Sequence, residues 1–586
     1  MKDFKEYKKL QTEHWINAAL LILLALVVIC IVILASVPPV SRDALTHHLA
    51  IPKLYLKHGG ITEIPSVLFS YYPMNLDLLY VIPLYFGSDI AAKFIHFMFA
   101  LLTACLIYGY LKERLGAVWA IFGVIFFLSL PIIVKLSITV YVDLGLIFFS
   151  TAALLSLLKW IENRFQLKFL ILSAVCCGLA LGTKYNGLVL LLILTLFIPF
   201  FYTRISKTRF RTQDLTQNGS AGRIQLKALG FATVFVFIAL LVFSPWMIRN
   251  YVWKSNPIYP LYDQIFNRYQ TMPAEPQDEL QALEPDTASQ PESQAKPSPW
   301  GSLAMRRVIY GESWWEIALI PVRIFFQGQD DNPRRFDGKL NPFLFLLPFF
   351  AFFQINTNTA TLQTEKKFLM FFALLFVLYT FCTTSIRIRY IAPIISPLVI
   401  LSMFGFSNMT SAFLKRWKNL PNGFSKSFII FLGGAVLAYN GLYIVQQFNY
   451  VQPFRYLSGQ LSRDAYIEKY RPEYSIYQYA NRHLTDRSKI LGLFLGNRRY
   501  YCDRELIFGQ NEFLESVHQA DSAQILFMDL KETGYTHVII RFDLFNWWTE
   551  KQLDVAKKEL LQAFFTAYLE PIVAKNGYGL FSLKTT

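Results

Sequence analysis

Cysteine is scarce in this sequence, and its placement offers no disulfide framework. Of the six cysteines, only Cys502 falls in the long hydrophilic tail, while the others lie mostly in apolar stretches. The tail also lacks a dinucleotide-binding fingerprint, since no glycine-rich pattern follows the isolated Gly492 and Gly496. No repeat relates the two halves of the chain, which disfavours the architecture of many secondary transporters.

Charged residues are also sparse. They make up 16% of the 586 residues, whereas hydrophobic residues make up 54%, including 53 phenylalanines. A water-soluble fold of this length needs far more polar surface to cover its core. The composition therefore predicts a polytopic α-helical membrane protein.

Eleven apolar stretches are candidate membrane spans. They cover roughly residues 15–37, 89–111, 117–131, 142–160, 168–183, 187–203, 228–247, 341–355, 368–384, 391–407 and 428–446. The first stretch follows four lysines and is longer than the core of a signal peptide, so we expect it to be a retained transmembrane helix.

Basic residues in the short loops are concentrated on the side of the amino terminus. The positive-inside rule therefore predicts a cytoplasmic N-terminus, and an odd number of spans then predicts an extracytoplasmic C-terminus. The same residues explain much of the formal net charge of +16. Since they are scattered over separate loops and form no single stripe, we expect no nucleic-acid partner.

The predicted spans and the hydrophilic tail indicate two domains. Residues 1–446 form a transmembrane domain with outer loops at 38–88 and 248–340, and residues 447–586 form a small extracytoplasmic α/β domain. In the first outer loop, helices are predicted over 43–57 and 73–86. In the tail, strands are predicted over 489–495, 536–542 and 577–583, and helices over 473–484 and 550–568.

Residues 272–300 are rich in Pro, Gln, Glu and Ala, a composition typical of a mobile segment. Such a segment beside an active site could act as a lid, and the simpler interpretation is a disordered insertion.

The strongest functional signal is a polar cluster just after the first span. It comprises Arg42, Asp43, His47, His48, Lys53 and Tyr55. Ionisable residues at the exit of a membrane span are costly unless they bind something charged or perform chemistry. Asp43 is therefore a candidate catalytic residue, and the alternative is a set of charges solvated among lipid headgroups.

Further charged residues are predicted at the outer ends of other spans: Asp143, Lys184, Arg249, Arg387 and Arg389. Two carboxylates among several cations suit a site in which cations hold a phosphate while a carboxylate accepts a proton from a nucleophile. For each residue alone, a charge in the headgroup region explains the position equally well. The convergence of all five favours a site.

The sequence resembles the GT-C superfamily of polyprenyl-phosphate-sugar glycosyltransferases, and in particular bacterial relatives of protein O-mannosyltransferases and lipid A aminoarabinose transferases. The matching segments are 43–49, 52–55, 72–75, 141–143, 182–187, 245–250, 256–260 and 389–393. The resemblance covers about residues 10–445 and implies a GT-C fold. The chain departs from the pattern because its first motif, Arg42-Asp43, has one acid where many relatives have two.

The resemblance implies a multi-pass enzyme of the bacterial inner membrane. Such an enzyme moves a sugar from a polyprenyl-phosphate donor to a lipid, glycan or protein acceptor with inversion. Asp43 would be the general base, and Asp143 would be the second catalytic carboxylate. The substrate-binding residues would be Arg42, His47, His48, Lys53, Tyr55, Lys184, Arg249, Arg387 and Arg389.

No cofactor is certain from the sequence. His47, four residues after Asp43, would share a helix face with it and could complete a site for a divalent metal, and the simpler interpretation is a histidine that hydrogen-bonds the carboxylate. Two other functions stay open. A lipid-linked sugar flippase or transporter would place ionisable groups near the middle of the membrane, whereas here they lie at the outer ends. A polymerase or ligase of surface glycans would use similar donors.

Overall fold

The computed structural model describes residues 2–210, 220–267, 301–353, 360–384, 386–416 and 422–584. The segment 272–300, predicted to be mobile, lies outside these ranges. The described chain is mainly helical, with one sheet near the carboxyl end.

The described residues up to Lys254 contain ten α-helices. They are α1 (Lys2–Ala35), α2 (Ala50–His58), α3 (Asn75–Tyr85), α4 (Asp89–Leu115), α5 (Ala117–Ser129), α6 (Pro131–Ser137), α7 (Asp143–Glu162), α8 (Leu167–Leu181), α9 (Gly187–Phe210) and α10 (Ser220–Lys254). A π-helical turn (Ala44–His48) precedes α2, and a 3₁₀ turn (Leu68–Tyr71) precedes α3. The helices predicted in the first outer loop are confirmed.

The middle of the chain continues with shorter outer helices and three further long ones. They are α11 (Asp263–Phe266), α12 (Gly301–Tyr310), α13 (Trp314–Ala318), α14 (Ile320–Phe326), α15 (Phe343–Phe350), α16 (Ala360–Thr383), α17 (Ile395–Arg416) and α18 (Asn422–Val451). Two 3₁₀ turns, Pro333–Arg335 and Ile388–Ile394, lie between them. Helix α18 runs without a break past the predicted domain boundary at 446.

The predicted polytopic helical architecture is confirmed. Within the described ranges, seven helices are long and apolar enough to cross a membrane, or eight if the bent pair α5 and α6 forms one span. The number of eleven stays a prediction. The segments that begin at Asp143 and Ile388 are the most buried of these candidates. Two of the predicted site residues, Asp143 and Arg389, therefore lie at the starts of the two most buried segments.

Close helix crossings depend on glycine at two positions. A Cβ at Gly405 of α17 would lie 1.9 Å from the Leu347 carbonyl oxygen of α15, so only glycine allows this approach. A Cβ at Gly182 would lie 2.2 Å from Nδ2 of Asn75. The backbone N–H of Asn75 donates a hydrogen bond to the Gly182 carbonyl at 2.8 Å. This bond connects the start of α3 to the end of α8.

The carboxy-terminal part is an α/β unit. Its helices are α19 (Pro453–Leu457), α20 (Arg463–Tyr470), α21 (Tyr474–His483), α22 (Gln510–Gln519), α23 (Ala523–Glu532), α24 (Phe542–Gln552) and α25 (Val555–Tyr568). Its strands are β1 (Lys489–Leu493), β2 (Glu505–Ile507), β3 (His537–Arg541), β4 (Leu569–Lys575) and β5 (Tyr578–Leu583), in the order β2-β1-β3-β5-β4.

Strand β1 pairs in parallel with β2 and β3, while β5 is antiparallel to β3 and β4. The three predicted strands are confirmed as β1, β3 and β5. The single helix predicted over 550–568 is wrong, because α24 ends at Gln552 and α25 begins after Asp554. The Asp554 side chain accepts a hydrogen bond from the Lys557 amide at 2.8 Å, and this cap starts a new helix.

Candidate active site

Asp43 lies immediately before the π-helical turn and is paired with Arg389. The Arg389 guanidinium donates to the Asp43 carboxylate, and its Cζ lies 5.6 Å from the centre of the Tyr141 ring. Burial alone would raise the pKa of Asp43, but the positive charge of Arg389 holds that pKa well below its usual range. Asp43 is therefore ionised and held by a cation.

Asp143 forms a second carboxylate–cation pair. Its Oδ1 lies 2.7 Å from Nζ of Lys184, and its side chain is 1% exposed. As the first residue of α7, Asp143 also benefits from the positive end of the helix dipole. The His96 ring fixes this helix end, since its Nε2 accepts a hydrogen bond from the Leu144 amide at 3.1 Å.

The two pairs belong to one site. Arg389 interacts electrostatically with both carboxylates, Asp43 and Asp143, and His48 interacts with both pairs. Near them, Lys184 Nζ lies 5.6 Å from the centre of the Tyr390 ring. The predicted convergence of Asp43, Asp143, Lys184 and Arg389 is thus observed in the structure.

A third acid, Asp77, lies in this site and was not predicted from the sequence. Its Oδ1 is 2.7 Å from Nδ1 of His48. Burial raises the pKa of Asp77 to about 7 and lowers that of His48 to about 4. Burial thus shifts both partners toward their neutral forms. The available signal was a lone acid in the otherwise apolar stretch 75–85.

His47 lies between His48 and an aromatic residue of the outer loop. Its ring centre is 4.2 Å from that of Phe69, nearly parallel, and 4.0 Å from that of His48. Burial lowers the pKa of His47 to about 3, so the ring is neutral. Across the described ranges, no three His, Cys, Asp or Glu side chains are grouped in a way that could hold a metal ion.

Arg249 stands in a neighbouring aromatic cluster. Its Nη2 donates to the carbonyls of Tyr71 and Tyr72 at 2.6 and 3.0 Å, and its Cζ lies 4.6 and 5.0 Å from the ring centres of Trp246 and Trp253. The predicted residue Tyr55 is buried, and its hydroxyl donates to the Met74 sulfur.

Three predicted substrate-binding residues contact groups outside the Asp43–Arg389 and Asp143–Lys184 pairs. Arg387 Nη1 lies 3.8 Å from Asp337, an acid that the sequence analysis also missed. Lys53 contacts the carboxy-terminal part, donating to the Tyr500 carbonyl at 2.7 Å. Arg42 is half-buried beside Asp43, and its carbonyl accepts the Thr46 hydroxyl at 2.9 Å.

Several buried polar atoms of the site have no hydrogen-bond partner among the described residues: Asp143 Oδ2, Arg389 Nε, His47 Nδ1 and Ser41 Oγ. A buried polar group left unsatisfied costs about 1–3 kcal/mol. A polar ligand that pairs with these atoms would recover part of that free energy. The arrangement can thus accept a proton at a carboxylate and neutralise an anion with Arg389 or Lys184.

A family model matches part of the chain. Residues 81–213 match the family model of dolichyl-phosphate-mannose-protein mannosyltransferases. No curated protein sequence matches the chain.

Solved structures match over nearly the whole chain. The ArnT of Cupriavidus metallidurans in the apo state gives a TM-score of 0.55 at 13% identity, covering 96% of this chain and 98% of that one. The same protein bound to undecaprenyl phosphate gives 0.54 at 14% identity, covering 97% and 98%. The Archaeoglobus fulgidus oligosaccharyltransferase tethered to an acceptor peptide gives 0.53 at 10% identity, covering 97% and 74%.

The chain therefore has the fold of the ArnT and oligosaccharyltransferase structures, and residues 81–213 also match the mannosyltransferase family model.

Proposed function

We propose that this protein transfers a sugar from a polyprenyl-phosphate donor to an acceptor on the extracytoplasmic face of a bacterial inner membrane, with inversion. The observation that carries the proposal is the pair of carboxylates, the half-buried Asp43 and the buried Asp143, each beside a cation and near unsatisfied polar atoms. The undecaprenyl phosphate bound by the similar ArnT supports the donor class.

Asp43 serves as the general base in this mechanism. The acceptor hydroxyl or amine gives its proton to the Asp43 carboxylate while its oxygen or nitrogen attacks the anomeric carbon. The bond from that carbon to the phosphate oxygen breaks on the opposite face. The polyprenyl phosphate leaves with the electron pair, and Arg389 or Lys184 neutralises its charge.

The pairing of Asp43 with Arg389 links donor binding to the strength of this base. When a donor phosphate competes for the Arg389 guanidinium, the Asp43 carboxylate loses its closest cation. Its pKa then rises toward the usual range, because the main stabilisation of its charged form is weakened. Asp43 thus becomes a better proton acceptor when the donor is in place.

Incubation of the purified protein with a radiolabelled polyprenyl-phosphate sugar tests the function. We expect the lipid-linked label to disappear when a suitable acceptor is added and to persist with buffer alone. If the lipid moved between leaflets of a vesicle with its sugar intact, the protein would be a transporter and the proposal would be wrong.

Donor affinity should depend on the outer arginines. Replacing Arg249, Arg387 or Arg389 with Gln removes a charge-assisted hydrogen bond to phosphate, which should weaken binding of polyprenyl phosphate by about 1.5–3 kcal/mol. Titration of each variant in detergent measures this change. Arg541→Gln, in the exposed pair with Asp543 at the end of β3, is the matched control. Unchanged affinity in all three variants would remove this part of the mechanism.

The orientation of the chain can be checked by cysteine labelling in intact cells. Leu530 is buried, so the reporter is placed at the exposed Glu532 nearby. A cysteine at Glu532 should react with an impermeant thiol reagent from outside, and one placed at Leu215 should not, because the loop basic residues predict a cytoplasmic N-terminus. The opposite pattern would reverse the proposed topology.

A further inference from the structure

The carboxy-terminal part holds the loop that carries Asp43. The amides of Arg499 and Tyr500 both donate to the Leu45 carbonyl, at 3.1 and 3.0 Å. Leu45 lies inside the π-helical turn, between Asp43 and the two histidines. These hydrogen bonds therefore act on the backbone only two residues from the proposed base.

Helix α2 is fastened to the same segment. Lys53 Nζ lies 2.6 Å from the Asp503 carboxylate and 2.7 Å from the Tyr500 carbonyl. One turn later, Lys57 Nζ donates to the Asp503 carbonyl at 3.0 Å. Residues four apart share a helix face, so one face of α2 rests on this segment.

The chain before Asp43 is held as well. The Tyr501 hydroxyl donates to the Pro39 carbonyl at 2.8 Å, and Arg471 Nε donates to the Val40 carbonyl at 2.6 Å. Contacts from the carboxy-terminal part thus bracket Asp43 on both sides along the sequence.

The segment that makes most of these contacts follows β1. Phe494, Gly496 and Asn497 all have φ near +60°, and they turn the chain sharply out of the sheet. The buried Arg498 then anchors the segment, since its Nε lies 2.5 Å from the Glu473 carboxylate. The carboxyl edge of parallel strands, where α/β sheets commonly bind ligands, is used here to hold the Asp43 loop.

We propose that residues 498–503 form a positioning element that sets the place of Asp43 relative to Arg389, an inference that rests on the proposed transfer reaction. The carboxy-terminal unit is then a working part of the active site without contributing a catalytic residue. The effect on rate follows from geometry, because a displacement of about 1 Å in a reacting group can cost a factor of about 10².

Charge reversal across the contact tests this role. Lys53→Asp and Asp503→Lys should each lower kcat by about tenfold, a partial displacement on the scale above, while the Kd for polyprenyl phosphate stays constant. The double variant restores the attraction with its polarity reversed, so kcat should recover. Lys575→Asp breaks a comparable exposed pair with Glu468, at 2.7 Å, and should leave kcat unchanged.

Hydrogen exchange of residues 41–50 gives a readout that does not need activity. Exchange should quicken in both single variants and return to the wild-type rate in the double variant. If either kcat or the exchange rate failed to recover in the double variant, the positioning role would be wrong. Single variants with normal turnover and normal exchange would also overturn it. If the wild-type protein transferred no sugar but the exchange rates followed this pattern, the proposed function would fail while the positioning contact stood.

Discussion

Replacing Asp43 with Asn should lower turnover by about 10²–10⁴, the range that general-base catalysis usually supplies. The amide has the shape of the carboxylate but cannot accept the acceptor's proton. It also removes the charge partner of Arg389, which leaves that guanidinium available to the donor phosphate. Single-turnover kinetics with saturating donor should therefore show the loss in the chemical step, while donor binding is kept or strengthened.

Asp143→Asn is the matched comparison, since it changes a second carboxylate of the same site. A smaller loss than in Asp43→Asn would indicate that Asp143 positions the acceptor or Lys184. An equal loss would indicate that both carboxylates act in the chemical step. A fully active Asp43→Asn protein would end the proposed mechanism, because removal of a general base must slow the chemical step.

Gly405→Ala should destabilise the folded protein by about 3 kcal/mol, the upper part of the range for overpacking a tight interior. The added methyl group would meet the Leu347 carbonyl at 1.9 Å, and backbone cannot move aside as a flexible side chain can. Helices α15 and α17 would have to separate. Thermal unfolding in detergent, followed by intrinsic fluorescence, measures the effect.

Gly434→Ala is the control for that substitution. Gly434 lies in helix α18 with nothing within 4 Å of an added Cβ, so alanine should be neutral or stabilise the helix by up to about 1 kcal/mol. If the two variants unfolded at the same temperature, the close crossing would not be a determinant of stability.

The sequence alone was sufficient to find charged residues at positions where a charge is costly. Asp143, Lys184 and Arg389 stand at the ends of apolar segments, where a charge requires an explanation. Asp77 gave a weaker signal, a lone acid in the otherwise apolar stretch 75–85, and its partner His48 is 29 residues away. Its importance depends on burial, which only the packed structure reveals.

Lys53 illustrates a different limit. Its charge near the membrane suggested substrate binding, and it contacts Asp503 instead, a residue 450 positions away. No local pattern encodes a contact of that separation. The break between α24 and α25 is the opposite case. Aspartate is a common residue at helix N-caps, so Asp554 was a local signal in the sequence for the start of a new helix.

The pairing of Asp43 with Arg389 has a consequence for biosynthesis. The two residues are 346 positions apart, and chains grow at about 5–20 residues per second, so about 17–70 s separate the synthesis of one from that of the other. Throughout that interval the nascent chain holds the first carboxylate without its cation. Arg499 and Tyr500, whose backbone amides donate to the Leu45 carbonyl, are synthesised later still. An unfinished chain therefore lacks the cation partner of Asp43 until Arg389 is made, and under the proposed mechanism it gains its full transfer rate only after residues 498–503 have joined the Asp43 loop.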